Sequence, residues 1–523
     1  MSSTPSPPLP WFFPFLPTPH PQTNNDGVIA LLVALHLCIA ALITPCTPGW
    51  KLFRAGIVLP IAMYLYWYCA WSALKPNHEE HWGVAAGCCF SIVRALELLV
   101  LYPAEENVYR VTPQADGDFV REPIPPPWTK AKLYWAYSLW WSNRGIGWNY
   151  SCTLPPSSTR HPFSRTSSRK AFLINRGRHY LLWIAFVDLV RAYMALGPGA
   201  AFFDGRAGVA PSYDSLTMTE KAVYSLCVCV RIMWSIEKTF TGGSLLLVAM
   251  GGVLGWEGEM WSPWGYPPLF GSIQELWLHP GLATVWSRTW HQLYRRWLYV
   301  FGWLTIGEKI LGLPHSGQSA RPPPPHVTPS GAITPTSENT NSSSSRLNGT
   351  GRASPTHLLP TDPLNGSKIS KSSIGARFSN RSNATMLSNF IKSLIVFALC
   401  GWMHDQASYA LLHRIASPGD KVNWVDALGT IPFFVAQPFA IAVETFIKRQ
   451  WRALKSRQYP GGAPDWLVFG ERLIGFAATW WWLGWSARWF VVGLTRAGVW
   501  RMGEDELPSW TLFGGLIWGK WEV

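Results

Sequence analysis

The chain has 523 residues, of which 48% are hydrophobic and only 14% charged, well below the ~25% charge of an ordinary soluble domain. Its net charge is +14, but the basic residues collect in loops between apolar runs and are not interleaved with aromatics, which excludes a nucleic-acid partner and favours membrane orientation and anionic lipid. The 33 tryptophans suit the headgroup boundary, where an apolar ring meets a wet N–H. None of the nine cysteines forms a CxxC pair, and most lie within apolar runs, so they read as small buried hydrophobes rather than a disulfide framework.

Residues 1–26 form a Pro-rich tail with no Lys or Arg, which excludes a secretory signal peptide with a basic leading region. Apolar runs close to the ~20 residues that span a bilayer follow at 27–45, 55–74, 82–102 and 179–197. The run 219–256 is long enough for a helical hairpin, and 289–313 reads as either a span or a helix lying in the interface. After a break, further runs occupy 388–412, 427–447 and 472–496. The predicted fold is therefore all-α, a polytopic membrane bundle of about 8–10 transmembrane helices. Basic loops at 155–178 and after 447 are expected on the cytoplasmic side, with the N-terminus outside. The core divides into 27–313 and 388–523 around a polar, Pro- and Ser-rich segment, 314–387, whose composition predicts a disordered linker.

Two histidines stand out within this apolar pattern. His291 lies in Trp286-Ser-Arg-Thr-Trp-His-Gln292, and His404 in Cys400-Gly-Trp-Met-His-Asp405. An ionisable group at membrane depth is costly to hold, and imidazole is the side chain best placed to move protons near neutral pH. The first motif predicts a helix with Trp286, Trp290, Leu293 and Trp297 along one face and Arg288, His291 and Arg295 along another. In the second, Gly401 permits a close backbone approach, and Asp405 points roughly 100° away from His404, which argues against a direct pair between them. Within other candidate spans Arg94 with Glu97, and Asp188 with Arg191, stand three residues apart and are expected to pair. His78-Glu-Glu-His81 has the wrong spacing for HExxH, and no metal site is expected.

The blocks Tyr266-Pro-Pro-Leu-Phe-Gly-Ser272, Val285-Trp-Ser-Arg-Thr-Trp-His-Gln292 and Phe397-Ala-Leu-Cys-Gly-Trp-Met-His404 together resemble the wax-synthase-like branch of the membrane-bound O-acyltransferases. Asn143-Arg-Gly-Ile-Gly-Trp148 resembles a segment of its fungal members, many of which acetylate hydroxyls of terpenoid secondary metabolites. Ser287 stands where that branch usually has Gly, and Thr289 where it has a second Arg.

The resemblance implies acyl transfer in the endoplasmic reticulum membrane. The donor would be acyl-CoA, with acetyl-CoA favoured, the acceptor a hydrophobic alcohol, and no bound cofactor would be needed. His404 would be the general base and His291 a donor to the developing oxyanion. Arg288, Trp290, Arg295 and Arg296 would contact the donor. Wax-ester synthesis from a long-chain alcohol stays open on the same motifs. A transporter or a non-catalytic lipid-binding protein remains as a further alternative, though no internal repeat marks a transporter.

Overall fold

The computed structural model describes residues 24–71, 78–113, 119–152, 154–203, 213–314, 378–415, 428–496, 498–499 and 510–522. The N-terminal tail up to residue 23 and the greater part of the expected linker, 315–377, lie outside the described residues. The chain is all-α apart from one small hairpin among the described residues, β1 (Val111–Pro113) antiparallel to β2 (Phe119–Arg121) with Val111 opposite Arg121.

The principal helices are α1 (Asn24–Ile43), α2 (Pro48–Trp71), α3 (His78–Leu96, extended by a π-helical turn Glu97–Leu101), α4 (Lys130–Trp141), α5 (Arg169–Ala195) and α6 (Met218–Leu254), then α7 (Phe378–Ile415), α8 (Thr430–Gln458) and α9 (Asp465–Arg496). Helix α7 packs on α8 and α3, α2 joins α1 to α3, α5 packs on α6, and α9 closes against α8 and α6. The start of α7 at Phe378 precedes the boundary at 388 expected from hydropathy, because its first turns are polar and carry no apolar signal.

Five of the described helices are long and apolar enough to cross a membrane, the segments Asp26–Ile43, Pro48–Trp71, Glu80–Leu101, Met386–His413 and Thr430–Gln458. That is fewer than the eight to ten expected. The remaining expected runs, 179–197, 219–256, 289–313 and 472–496, are not among these five, and 289–313 holds only the short helix Arg295–Leu298 and the π-helical stretch Tyr299–Ile310. Helices α5 and α6 bury charged side chains against protein, with Arg176, Arg231 and Glu237 all nearly covered.

The hairpin expected over 219–256 is instead the single unbroken helix α6. Its start is fixed by a capping box, Thr217 with Glu220, and its end by Gly255 in the left-handed region at φ 66°. No turn chemistry interrupts it between those caps, and the Gly242-Gly243 pair remains helical.

Charges buried by the fold are mostly matched. Arg94 pairs with Glu97 at 3.2 Å, as their spacing predicts, while Arg54 is enclosed by Thr44, the Pro45 carbonyl and Glu105. Asp188 accepts the backbone N–H of Phe513 at 3.0 Å, tying α5 to the short helix Leu512–Trp518.

Candidate active site

His404 stands on α7 where α3, α8 and α9 converge. Its ring is sandwiched between Trp82 of α3, at 5.3 Å between ring centres and 5° between planes, and Phe434 of α8, at 5.0 Å and 7°. Phe490 of α9 closes one edge at 6.0 Å. Each wall is itself anchored. The indole N–H of Trp82 donates to Ser408 Oγ, whose hydroxyl donates in turn to the His404 carbonyl.

Phe434 is placed by the way α8 begins. A Cβ at Gly401 would come within 2.8 Å of the Ile431 Cα, so only glycine lets α8 approach α7 at this point. Asp405, 2% exposed, then caps α8. Its carboxylate accepts from the N–H groups of Gly429, Thr430 and Ile431 and from the Thr430 hydroxyl at 2.6 Å. Four donors at a helix start meet one anion, the arrangement that the helix dipole favours. Asp405 thus turns away from His404, as its helical angle predicts, and orients the helix that carries one wall of the histidine's slot.

The His291 segment is built differently. The helical stripe expected through Trp286, Trp290, Leu293 and Trp297 is not formed. The chain makes a short π-helical turn at Val285–Thr289, leaves helix at Trp290 with ψ 150°, and resumes at Arg295–Leu298 before the π-helical stretch Tyr299–Ile310. Tertiary bonds replace the helical ones. The Gly271 N–H donates to the Thr289 carbonyl, and the buried Gln292 amide donates to the carbonyls of Trp286 and Trp290. Periodicity could not anticipate this, because Gly271 of a distant loop and the side chain of Gln292 satisfy carbonyls that a helix would otherwise satisfy itself.

The segment Tyr266–Ser272 supplies that loop. Phe270 meets the edge of His291 at 6.0 Å and packs on Trp290 at 5.5 Å. Gly271 rests on the backbone of Arg288 and Thr289, where a Cβ would clash at 2.8 Å.

The fold brings the two histidines, separated by more than a hundred positions in sequence, into one interior. His291 lies within electrostatic reach of both His404 and Arg144. A run of touching rings joins them, from His291 through Trp290 and Trp286 to Phe434 and His404. Both histidines are partly buried, neither fully covered nor fully exposed. Nδ1 of each ring is covered and has no hydrogen-bond partner among the described residues. Such an apolar enclosure with two imidazoles can hold an uncharged acceptor and move its proton.

The remaining expected residues are spread around this centre. Trp290 lies in the ring run described above. Arg288 pairs with Glu275 at 3.2 Å, and Arg296 with Glu97 at 2.7 Å while covering the Tyr150 ring. Arg295 is exposed and donates to the Gln292 side chain. Sequence reasoning missed Trp82, Phe434 and Gln437. The last is fully buried and accepts the indole N–H groups of Trp286 and Trp482. A buried amide one residue before a proline inside a helix, Gln437-Pro438, was the available signal.

Comparison with known proteins points the same way at low identity. The chain is 26% identical over 272 residues to the acetyltransferase sirH of Emericella nidulans, covering 51% of this chain and 58% of that protein. It is 24% identical over 490 residues to the O-mevalon transferase yanI of Aspergillus niger, covering 91% of this chain and 86% of that one. A third relative, the acetyltransferase ple2 of Rhodocybe pseudopiperita, is 29% identical over 186 residues, 35% of this chain and 42% of its own length. The chain thus spans little more than half of the first of these and most of the second. No family model matches the chain, and no solved structure matches it.

Proposed function

We propose that this chain is a multi-pass membrane O-acyltransferase of the wax-synthase-like kind, which moves an acetyl group from acetyl-CoA to a hydroxyl of a terpenoid or similar secondary metabolite in the endoplasmic reticulum membrane. The observation that carries this reading is the run of ring contacts that joins His291 to His404 within one aromatic-walled interior. The names of the relatives, acetyltransferases and an O-mevalon transferase, support a transferase over a transporter or a lipid-binding scaffold.

In this reading His404 Nε2 accepts the hydroxyl proton as the acceptor oxygen attacks the thioester carbonyl. The carbon–sulfur bond then breaks, and the departing sulfur takes the proton back from the imidazolium. His291 donates a hydrogen bond to the carbonyl oxygen as charge grows there. The rings of Trp82, Phe434 and Phe490 keep water from the thioester, which limits hydrolysis. Arg295, exposed and without a carboxylate partner among the described residues, is the first choice for a donor phosphate. Arg288 and Arg296 would have to share their charge with Glu275 and Glu97.

A second reading has its own observation. The relative matched over 91% of this chain is named for mevalon rather than acetyl transfer, which favours a larger acyl group. Both readings are tested by expressing the protein in membranes of a host without related activity. Acetyl-, mevalonyl- and palmitoyl-CoA are then supplied with pregnenolone or hexadecanol. Acetylated pregnenolone is the expected product. Hexadecyl palmitate alone would replace the proposal with wax synthesis, and no ester at all would remove acyl transfer.

A further inference from the structure

Arg144 is a buried cation that the proposed chemistry has not yet used. It is 7% exposed, and its two terminal nitrogens donate to the carbonyls of Pro267 and Pro268 at 2.9 and 3.0 Å. Its Nε is covered and has no partner. Arg54 and Arg94, equally buried, each hold a glutamate, whereas Arg144 has no carboxylate partner among the described residues. Holding an uncompensated charge away from water is costly, and removing it from a protein that does not use it would be stabilising.

The surroundings fix where that charge sits. Arg144 is presented by a tight turn in which Gly145 and Gly147 take φ of 67° and 79°, and a Cβ at Gly145 would run into Tyr150 at 2.5 Å. The guanidinium lies over Phe240 at 5.7 Å. The loop that it grips through Pro267 and Pro268 is the one whose Phe270 packs on His291, and Arg144 itself lies within electrostatic reach of that histidine. A rigidly held positive charge among apolar groups, tied to one of the two imidazoles through the Pro267–Phe270 loop, is suited to negative charge that appears only during reaction.

We infer that Arg144 is the counter-charge of the transfer step, stabilising the negative charge that grows on the carbonyl oxygen of the donor and then on the departing thiolate. The inference rests on the acyl-transfer reading. In the step itself the acceptor oxygen bonds to the acyl carbon while its proton passes to His404. The carbon–sulfur bond then breaks with its electron pair on sulfur, and His404 returns the proton to that sulfur. Arg144 exchanges no proton.

The test separates charge stabilisation from scaffolding by varying how much stabilisation the leaving group needs. Full-length wild type, Arg144→Gln and Arg144→Lys in lipid nanodiscs are assayed with S-ethyl thioacetate and S-(4-nitrophenyl) thioacetate as donors and pregnenolone as acceptor. These small donors carry no nucleotide, so differences in CoA binding do not enter. Arg144→Gln is expected to lose ~10²–10³-fold with the ethyl thioester and far less with the nitrophenyl thioester, whose thiolate is already stable. Arg144→Lys, which keeps the charge but not the fork, is expected to stay nearer wild type in the ratio of the two rates. Parallel losses on both donors against an active wild type overturn the assignment and leave Arg144 as a clamp on the Pro267–Pro268 loop. If Arg144→Gln does not accumulate, the absolute rates of Arg144→Lys decide: rates near wild type with both donors, or a loss confined to the ethyl thioester, support a role for charge, and an equal loss with both donors removes it. A wild type that transfers acetyl from neither these donors nor acetyl-CoA sinks the acyl-transfer reading and this assignment together.

Discussion

His404 and His291 reach the same interior by opposite means. His404 rides on an uninterrupted helix, α7, and its ring is held by two flat walls with no hydrogen bond to Nδ1. His291 sits where helix fails, between the turn Val285–Thr289 and the short helix Arg295–Leu298, and is held by backbone bonds and by Phe270 from a distant loop. The place of one ring is set by the walls that stack on it, that of the other by the bend of the backbone that carries it. The first arrangement suits a base that must accept and return a proton, and the second suits a donor that must stay aimed at one oxygen.

Substitutions at the two positions should therefore differ in size. His404→Ala is expected to reduce transfer by ~10²–10⁴-fold, with expression and membrane insertion near normal, since the side chain contributes no hydrogen bond to the fold. His413, further along α7 and packed on Trp71 and Tyr409, is the control. If His413→Ala stops turnover while His404→Ala does not, the roles have been misassigned. His291→Ala should cost less, about 10²-fold, at the lower end of what loss of one oxyanion donor removes. Its KM for the donor should rise as well, because the Trp290–His291 bend is disturbed. A loss equal to that of His404→Ala with an unchanged KM would erase the distinction drawn here.

Phe434 separates stacking from mere volume. Replacing one wall of the sandwich, Phe434→Leu, removes an aromatic contact of ~0.5–1.5 kcal/mol. That corresponds to a fall in kcat of roughly 3–10-fold, with the same change at Phe433, which does not stack on His404, having a smaller effect. Equal falls at both positions would show that the region responds to packing volume alone.

The smallest effect lies outside both regions, at His161 in the basic loop before α5. Burial and the nearby positive charge of Arg176 push its imidazole down to about 4, from ~6.5 in an unfolded chain. As pH falls from 6.5 towards 4, the unfolded chain takes up a proton that the folded protein refuses, so stability declines over that window and is restored above it. His161 is only half-buried, which limits the effect to a few degrees at most. Melting of the wild type should therefore fall more between pH 7.5 and 4.5 than melting of His161→Gln, and identical falls would refute the shift.

Much of this protein was legible in its sequence because the signals were local. Apolar length gave an all-α chain, and the five helices apolar enough to span all fall on runs picked out by hydropathy. Three-residue spacing gave the Arg94–Glu97 pair, and helical angle kept Asp405 off His404. Gly401 was legible as a close approach, although the sequence did not say that Ile431 would be the neighbour.

Where the structure departs from that reading, hydrogen bonds and caps that carry no hydrophobic period decided the outcome. The Trp286–Trp297 stripe broke because Gly271 and Gln292 satisfied its carbonyls. The hairpin over 219–256 stayed one helix because only its ends are capped, and its buried Arg231 and Glu237 face protein rather than lipid. The sequence by itself determined the long apolar helices and singled out His291 and His404 within apolar surroundings, since hydrophobic length and charge cost act within one segment. Only the tertiary structure decided that His291 and His404 share an interior, that Trp82 and Phe434 wall it, and that Arg144, uncompensated, is tied to it through the Pro267–Phe270 loop, since contacts between distant segments are set by packing and leave no periodicity to read.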